Sequence, residues 1–222
     1  MEALWLAAER RSVGRHARRE RTEGDTQMKH YFNSMSRAVT SDWMLKELDA
    51  EHERIVIDIQ AGEQNSPEYR AINPMGKVPT LVDGDAVVTE AGAICAYLAD
   101  KFAEKGFAPS PGSPERGRYY RYLFFPGTTL EPLLSITSLG IEDIKPHTMG
   151  WGDMPRAMAA VESMTPGAGW ALGEQFTAAD IVFGGTLAFF CGFNMMTASP
   201  KVANYVERIK SRKAYQESHV GF

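Results

Sequence analysis

Four places in the chain carry hydroxyls, cations or open helix starts suited to contact an anionic group. Ser36 and Arg37 follow the run Lys29-His30-Tyr31-Phe32 and precede a helical pattern. That puts a hydroxyl donor and a guanidinium at a helix start, beside its free N–H groups. Ser34, in the same loop, is a second hydroxyl. Lys77 stands next to Val78-Pro79 and offers a compact point charge to a carboxylate. Glu90-Ala91 opens another helical pattern, where free amides and the positive dipole end suit a second carboxylate. Ser36 has a plain alternative role as an N-cap.

The elements that must position these groups can be read from backbone signals. In NPMGKVPTLVDGDAVVTEAGAICAYLAD (73–100), Pro79 opens the apolar run Thr80-Leu81-Val82, which marks a strand start or an edge. Asp83-Gly84-Asp85 separates that run from Ala86-Val87-Val88, a hairpin whose glycine accepts a positive φ. Ala91, Ile94, Cys95, Leu98 and Phe102 then recur at helical spacing. Upstream, residues 29–32 read as a strand, Ala38, Val39, Trp43, Leu45 and Leu48 as one helix face, and Ile55, Ile57 and Ile59 as a second strand. This is a βαβ unit followed by ββα, with a short irregular helical segment from Ser66-Pro67 to Ile72 between them.

Residues 107–112, FAPSPG, read as a linker, and only helices are expected beyond it. Ser113-Pro114-Glu115 is an N-cap with proline at the first helical position, in a helix that should bend near Pro126. A further helix runs from Asp153-Met154-Pro155 to Thr165-Pro166-Gly167. Phe176-Thr177-Ala178-Ala179-Asp180-Ile181 combines a capping box with a hydrophobic staple, so Asp180 is structural. Val202, Tyr205, Val206 and Ile209 make the stripe of a closing helix.

Residues 1–27 hold six arginines and five acids in no helical or strand pattern, and read as a disordered extension or a start called too early. The fold is expected in residues 28–106, a thioredoxin-like domain, and 113–222, an all-helical bundle. The net charge of −4 favours neither nucleic acid nor an anionic membrane surface, and no apolar run reaches the length of a membrane span. Cys95 and Cys191, far apart on apolar stretches, read as free thiols in a reducing, cytoplasmic setting. The five histidines have no metal-ligand spacing, and no metal is expected.

The 73–100 stretch and GEQFTAADIVFG (173–184) resemble the cytosolic glutathione S-transferase superfamily, its serine-type, bacterial-like members in particular. The resemblance spans roughly residues 28–215. It implies a cis Val78-Pro79 bond and glutathione as co-substrate, with Lys77 on the glycyl carboxylate, Val78 and Pro79 against the cysteinyl backbone as a one-residue strand addition, and Glu90 and Ala91 at the γ-glutamyl end. It implies Ser36, with Arg37 beside it and Ser34 in reserve, as the group that keeps the glutathione sulfur as thiolate. An electrophile pocket is implied at Met35, Phe124, Thr128 and Glu131, the last three sharing a helix face at i, i+4, i+7. The implied activity is conjugation of glutathione to small, largely apolar electrophiles by a homodimer. Isomerisation, dehalogenation, peroxide reduction and non-catalytic binding are the alternatives. Position 91 departs from the commoner pattern of serine after the acidic residue, which removes one hydrogen bond worth about 1 kcal/mol.

Overall fold

The computed structural model describes residues 27–141, 145 and 147–220, so the expectations for residues 1–26 fall outside the described residues. The N-terminal half is a four-stranded mixed sheet. β1 (Lys29–Phe32) lies between β2 (Glu53–Val56) and β3 (Thr80–Asp83), and β4 (Ala86–Thr89) forms the far edge. β1 and β2 are parallel, joined through α1 (Ala38–Glu47); β3 is antiparallel to both β1 and β4. α2 (Pro67–Ile72) precedes β3, and α3 (Ala91–Lys101) follows β4. This is a thioredoxin-like domain.

Alternation along β1 sorts its neighbours. His30 and Phe32 are buried, and His30 meets Ser41 of α1, whereas the Tyr31 ring lies tilted against Tyr69 of α2 at 5.4 Å. Trp43 and Leu45 of α1, Leu48 just after it, and Ile94, Cys95 and Leu98 of α3 are buried in one core with Leu81 of β3.

β2 is shorter and earlier than the Ile55–Ile59 alternation suggests. Ile57 is buried and its N–H still donates to Phe32, but Asp58 Oδ1 accepts from the amides of Gln60 and Ala61 and turns the chain away. α2 is regular where an irregular segment was expected, because Ser66 accepts from the Tyr69 amide and Pro67 occupies the first turn.

The C-terminal half is helical: α4 (Pro114–Phe125), α5 (Glu131–Ser138), α6 (Met154–Met164), α7 (Gly185–Gly192), α8 (Pro200–Lys210) and α9 (Lys213–Ser218). At Pro126 the helix does not simply bend. A wide π turn over Pro126–Leu130 absorbs the missing amide and hands the chain to α5. Val202, Tyr205, Val206 and Ile209 of α8 are buried, but α9 follows and packs Tyr215 edge-on against Trp43 at 5.0 Å.

Asp180 is the hub of this half. Its carboxylate accepts from the amides of Ala171 at 2.7 Å and Thr177 at 3.0 Å and from the Tyr205 hydroxyl at 2.8 Å. Burial pushes its pKa above the ordinary carboxylate range, while these bonds pull it back. The Thr177 hydroxyl accepts from Ala179 rather than from the amide of Asp180. No described helix is long and apolar enough to cross a membrane.

Candidate functional site

A cleft of about 490 Å³ opens between the two halves. The N-terminus of α1, the turn before β3, the start of α3 and the α4–α5 junction form its walls. A larger hollow, about 660 Å³, lies beside Lys46 and Trp170, but its Arg212 is already held by Glu47 at 2.6 Å through both carboxylate oxygens. The smaller cleft gathers groups left open for a ligand.

The turn before β3 is built by buried polar contacts. Tyr69 Oη donates to the Lys77 carbonyl at 2.6 Å, and Asn73 Nδ2 donates to the same oxygen at 2.8 Å. Both also meet the buried Thr80 hydroxyl, at 2.9 and 3.1 Å. Gly76, at φ +60°, brings the chain so near Gln64 that a Cβ would sit 2.8 Å from its carbonyl oxygen, so glycine alone fits. The Val78-Pro79 bond is cis, and neither the N–H nor the C=O of Val78 is hydrogen-bonded among the described residues. Lys77 is exposed at the rim.

At the start of α3, Glu90 adopts φ +68° and its carboxylate does not cap the helix. The first amides of α3 therefore carry no side-chain cap, and Glu90, Ala91, Gly92 and Ala93 all line the cleft. Gly92 lets α3 approach α4 closely, since a Cβ there would lie 3.0 Å from the Leu123 carbonyl oxygen. This close approach fixes the distance between the α3 amides and the far wall.

The far wall carries Phe124, Thr128 and Glu131. Phe124 is 61% exposed, an apolar surface facing the opening. Glu131 forms an ion pair with Arg37 at 2.9 Å, and the Arg37 guanidinium lies 3.9 Å from the Phe189 ring centroid. Burial lowers the Arg37 pKa from its ordinary value, and Glu131 opposes that shift.

The structure thus brings Arg37, Lys77, Val78, Pro79, Glu90, Ala91, Phe124, Thr128 and Glu131 to one cleft. It does not bring Ser34, Met35 or Ser36 to the cleft walls. Ser34 and Met35 are exposed, and Ser36 Oγ donates to the Asn33 carbonyl at 2.7 Å while accepting from the Ala38 amide at 3.1 Å. That is the bonding of a helix-start turn. Asn73, Thr40, Val182 and Thr186 also line the cleft and were not singled out in the sequence. Only Asn73 had a legible signal, because it stands between the end of α2 and Pro74.

The family model for the glutathione S-transferase N-terminal domain matches residues 27–100. Glutathione S-transferase F10 of Arabidopsis thaliana is 38% identical over 111 residues, half of each chain. Glutathione S-transferase 1 of Dianthus caryophyllus is 30% identical over 159 residues, covering 68% of this chain and 71% of the relative. Matches to Arabidopsis F10 and to glutathione S-transferase 2 of Schizosaccharomyces pombe span only 50% and 37% of those proteins. A glutathione transferase homologue from Sulfitobacter, solved with bound glutathione, superposes with a TM-score of 0.69 at 25% identity, over 86% of this chain and 96% of that one. With the Dianthus relative matched over more than two thirds of its length and the described fold running through both halves, the chain belongs to the glutathione S-transferase family.

Proposed function

We propose that the cleft binds glutathione and that the protein conjugates its thiolate to small, largely apolar electrophiles. One observation carries this reading: the unbonded backbone of Val78, the Lys77 ammonium and the uncapped start of α3 converge on one cleft. A tripeptide with a carboxylate at each end matches that set. Val78 pairs with the cysteinyl backbone, Lys77 takes the glycyl carboxylate, and the amides at Ala91 take the γ-glutamyl carboxylate, with Glu90 accepting from its ammonium. The bound glutathione in the Sulfitobacter homologue supports the same ligand class here.

Near the sulfur, two groups at the start of α1 are candidates for stabilising the thiolate. Arg37 lines the cleft and contributes positive potential, reduced by Glu131. Ser36 contributes only if its hydroxyl leaves the Asn33 carbonyl and turns toward the ligand. Phe124 and Thr128 offer the electrophile an apolar wall. A cytoplasmic homodimer is part of the same proposal, carried by the family.

A second reading is a protein that binds glutathione without conjugating it. Ala91 in place of a hydroxyl, a Ser36 proton already donated and an Arg37 already paired are the observations on its side. Steady-state conjugation to an activated aryl halide, measured beside a calorimetric titration, separates the two. Saturable binding with turnover is expected. Binding without turnover on a panel of electrophiles selects the second reading, and no binding at millimolar glutathione removes both.

A further inference from the structure

The histidines have no metal-ligand spacing along the chain, yet the fold brings two of them to one buried carboxylate. His30 of β1, Asp42 of α1 and His52, in the loop before β2, each offer a ligand atom, and the three atoms lie within 4.8 Å of one another. This group lies apart from the glutathione cleft, whose walls include none of the three. We propose that His30, Asp42 and His52 form a binding site for a divalent ion of the zinc and copper class.

The hydrogen bonds leave both imidazoles with a lone pair to give. Ser41 Oγ donates its one proton to the Ala38 carbonyl at 3.0 Å, so at its 2.8 Å contact with His30 Nε2 it accepts. Nε2 therefore carries the His30 proton and Nδ1 the lone pair. That Nδ1 is fully buried and has no hydrogen-bond partner, an arrangement that needs an explanation in a residue with no exposed surface. His52 Nδ1 lies 2.8 Å from the Ala50 carbonyl, which only accepts, so its proton is there and Nε2 is bare. Metal-bound histidines are typically oriented in this way, through the second ring nitrogen donating to a carbonyl or hydroxyl.

Two imidazoles and one carboxylate suit zinc or copper more than magnesium or calcium, which favour oxygen ligands. A tetrahedral ion at about 2.0–2.2 Å from each atom holds its ligands roughly 3.3 Å apart. The group must therefore contract, and half-buried His52, on a loop, is the member free to move. The opposing charge is local. Lys46 and Arg54 each bond one oxygen of Asp42, and an entering cation must displace at least one of them. Both side chains are partly exposed, 24% and 39%, and their departure opens the way in.

Zinc chloride titrated into the untagged full chain against a chromophoric chelator tests the site. One ion per chain is expected. His52→Ala should weaken binding at least tenfold while circular dichroism and glutathione affinity stay as in the parent, and Lys46→Met, which removes a competing cation from Asp42, should tighten it. Zinc should raise the melting temperature of the parent and not that of His52→Ala. No bound zinc, or unchanged affinity in His52→Ala, would overturn the assignment, as would weaker binding in Lys46→Met. Neither result bears on glutathione.

Discussion

At the scale of residues, the central contest is between Arg37 and Ser36 for the glutathione sulfur. Arg37 faces the cleft but shares its charge with Glu131 at 2.9 Å, and both are partly solvent-exposed, so the pair is screened. Glu131→Gln should therefore lower the pKa of bound glutathione thiol, because it removes a negative charge that disfavours the thiolate; about half a unit to one unit is expected. Ser36→Ala should leave that pKa unchanged if the hydroxyl remains on Asn33, and raise it if the hydroxyl turns to the sulfur. Ultraviolet thiolate titration reads both. An unchanged pKa in Glu131→Gln would mean that the sulfur lies away from Arg37. Among the residues legible in the sequence, Val78 was marked by its proline and Glu90 and Ala91 by a helix start, while Phe124, Thr128 and Glu131 were marked by their helical spacing. Tyr69 was not, because a polar side chain acquires a buried role only through the partner that the fold supplies. For the same reason the His30, Asp42 and His52 group left no trace in sequence spacing.

At the scale of elements, the start at Thr177–Asp180 carries more than a cap. Asp180 joins the Ala171 loop, the Thr177 turn and α8 through Tyr205, and every partner is buried. Asp180→Ala leaves these donors without an acceptor, so a loss of about 3 kcal/mol or more is expected from the denaturant midpoint. A loss under about 1 kcal/mol would show that water replaces the carboxylate. The sequence marked this start because capping box and staple are local. It did not mark α9, whose N-cap Arg212 makes no side-chain cap bond and whose six residues give no clear period. β2 was misjudged, spanning Glu53–Val56 where 55–59 was expected, for a related reason: the isoleucine alternation continues past the point where Asp58 turns the chain away.

At the scale of the whole molecule, the cleft exists because the two halves are fastened together at more than one place. Trp43 of α1 packs where a Cβ on Gly185 would come within 3.3 Å of its ring, and its indole N–H donates to Glu47 at 2.8 Å. Glu47 also receives the forked guanidinium of Arg212, just before α9. Arg116 of α4 clasps Asp100 of α3 at 2.7 Å through both oxygens. Glu47→Ala leaves Arg212 and the buried indole unpaired at once. It should cost about 2 kcal/mol and weaken glutathione binding through loss of cleft geometry, read by denaturation and calorimetry together. A stability change confined to a few tenths of a kcal/mol would place the fastening elsewhere, in the apolar contacts of Trp43, Phe176 and Tyr215.

The placement of glutathione across Val78 and the start of α3 is tested most directly by its dissociation constant in Ala91→Ser beside the parent protein. A hydroxyl at position 91 enters the same space as the free amides of α3 and adds one hydrogen bond to a carboxylate held there. Partly solvent-facing, that bond should be worth about 1 kcal/mol, so calorimetry should show affinity tighter by several-fold to about tenfold. The turnover number at saturating glutathione should hardly move, since the contact is the same in ground and transition states. Unchanged or weaker affinity would contradict the account, because the γ-glutamyl carboxylate would then not lie at Ala91.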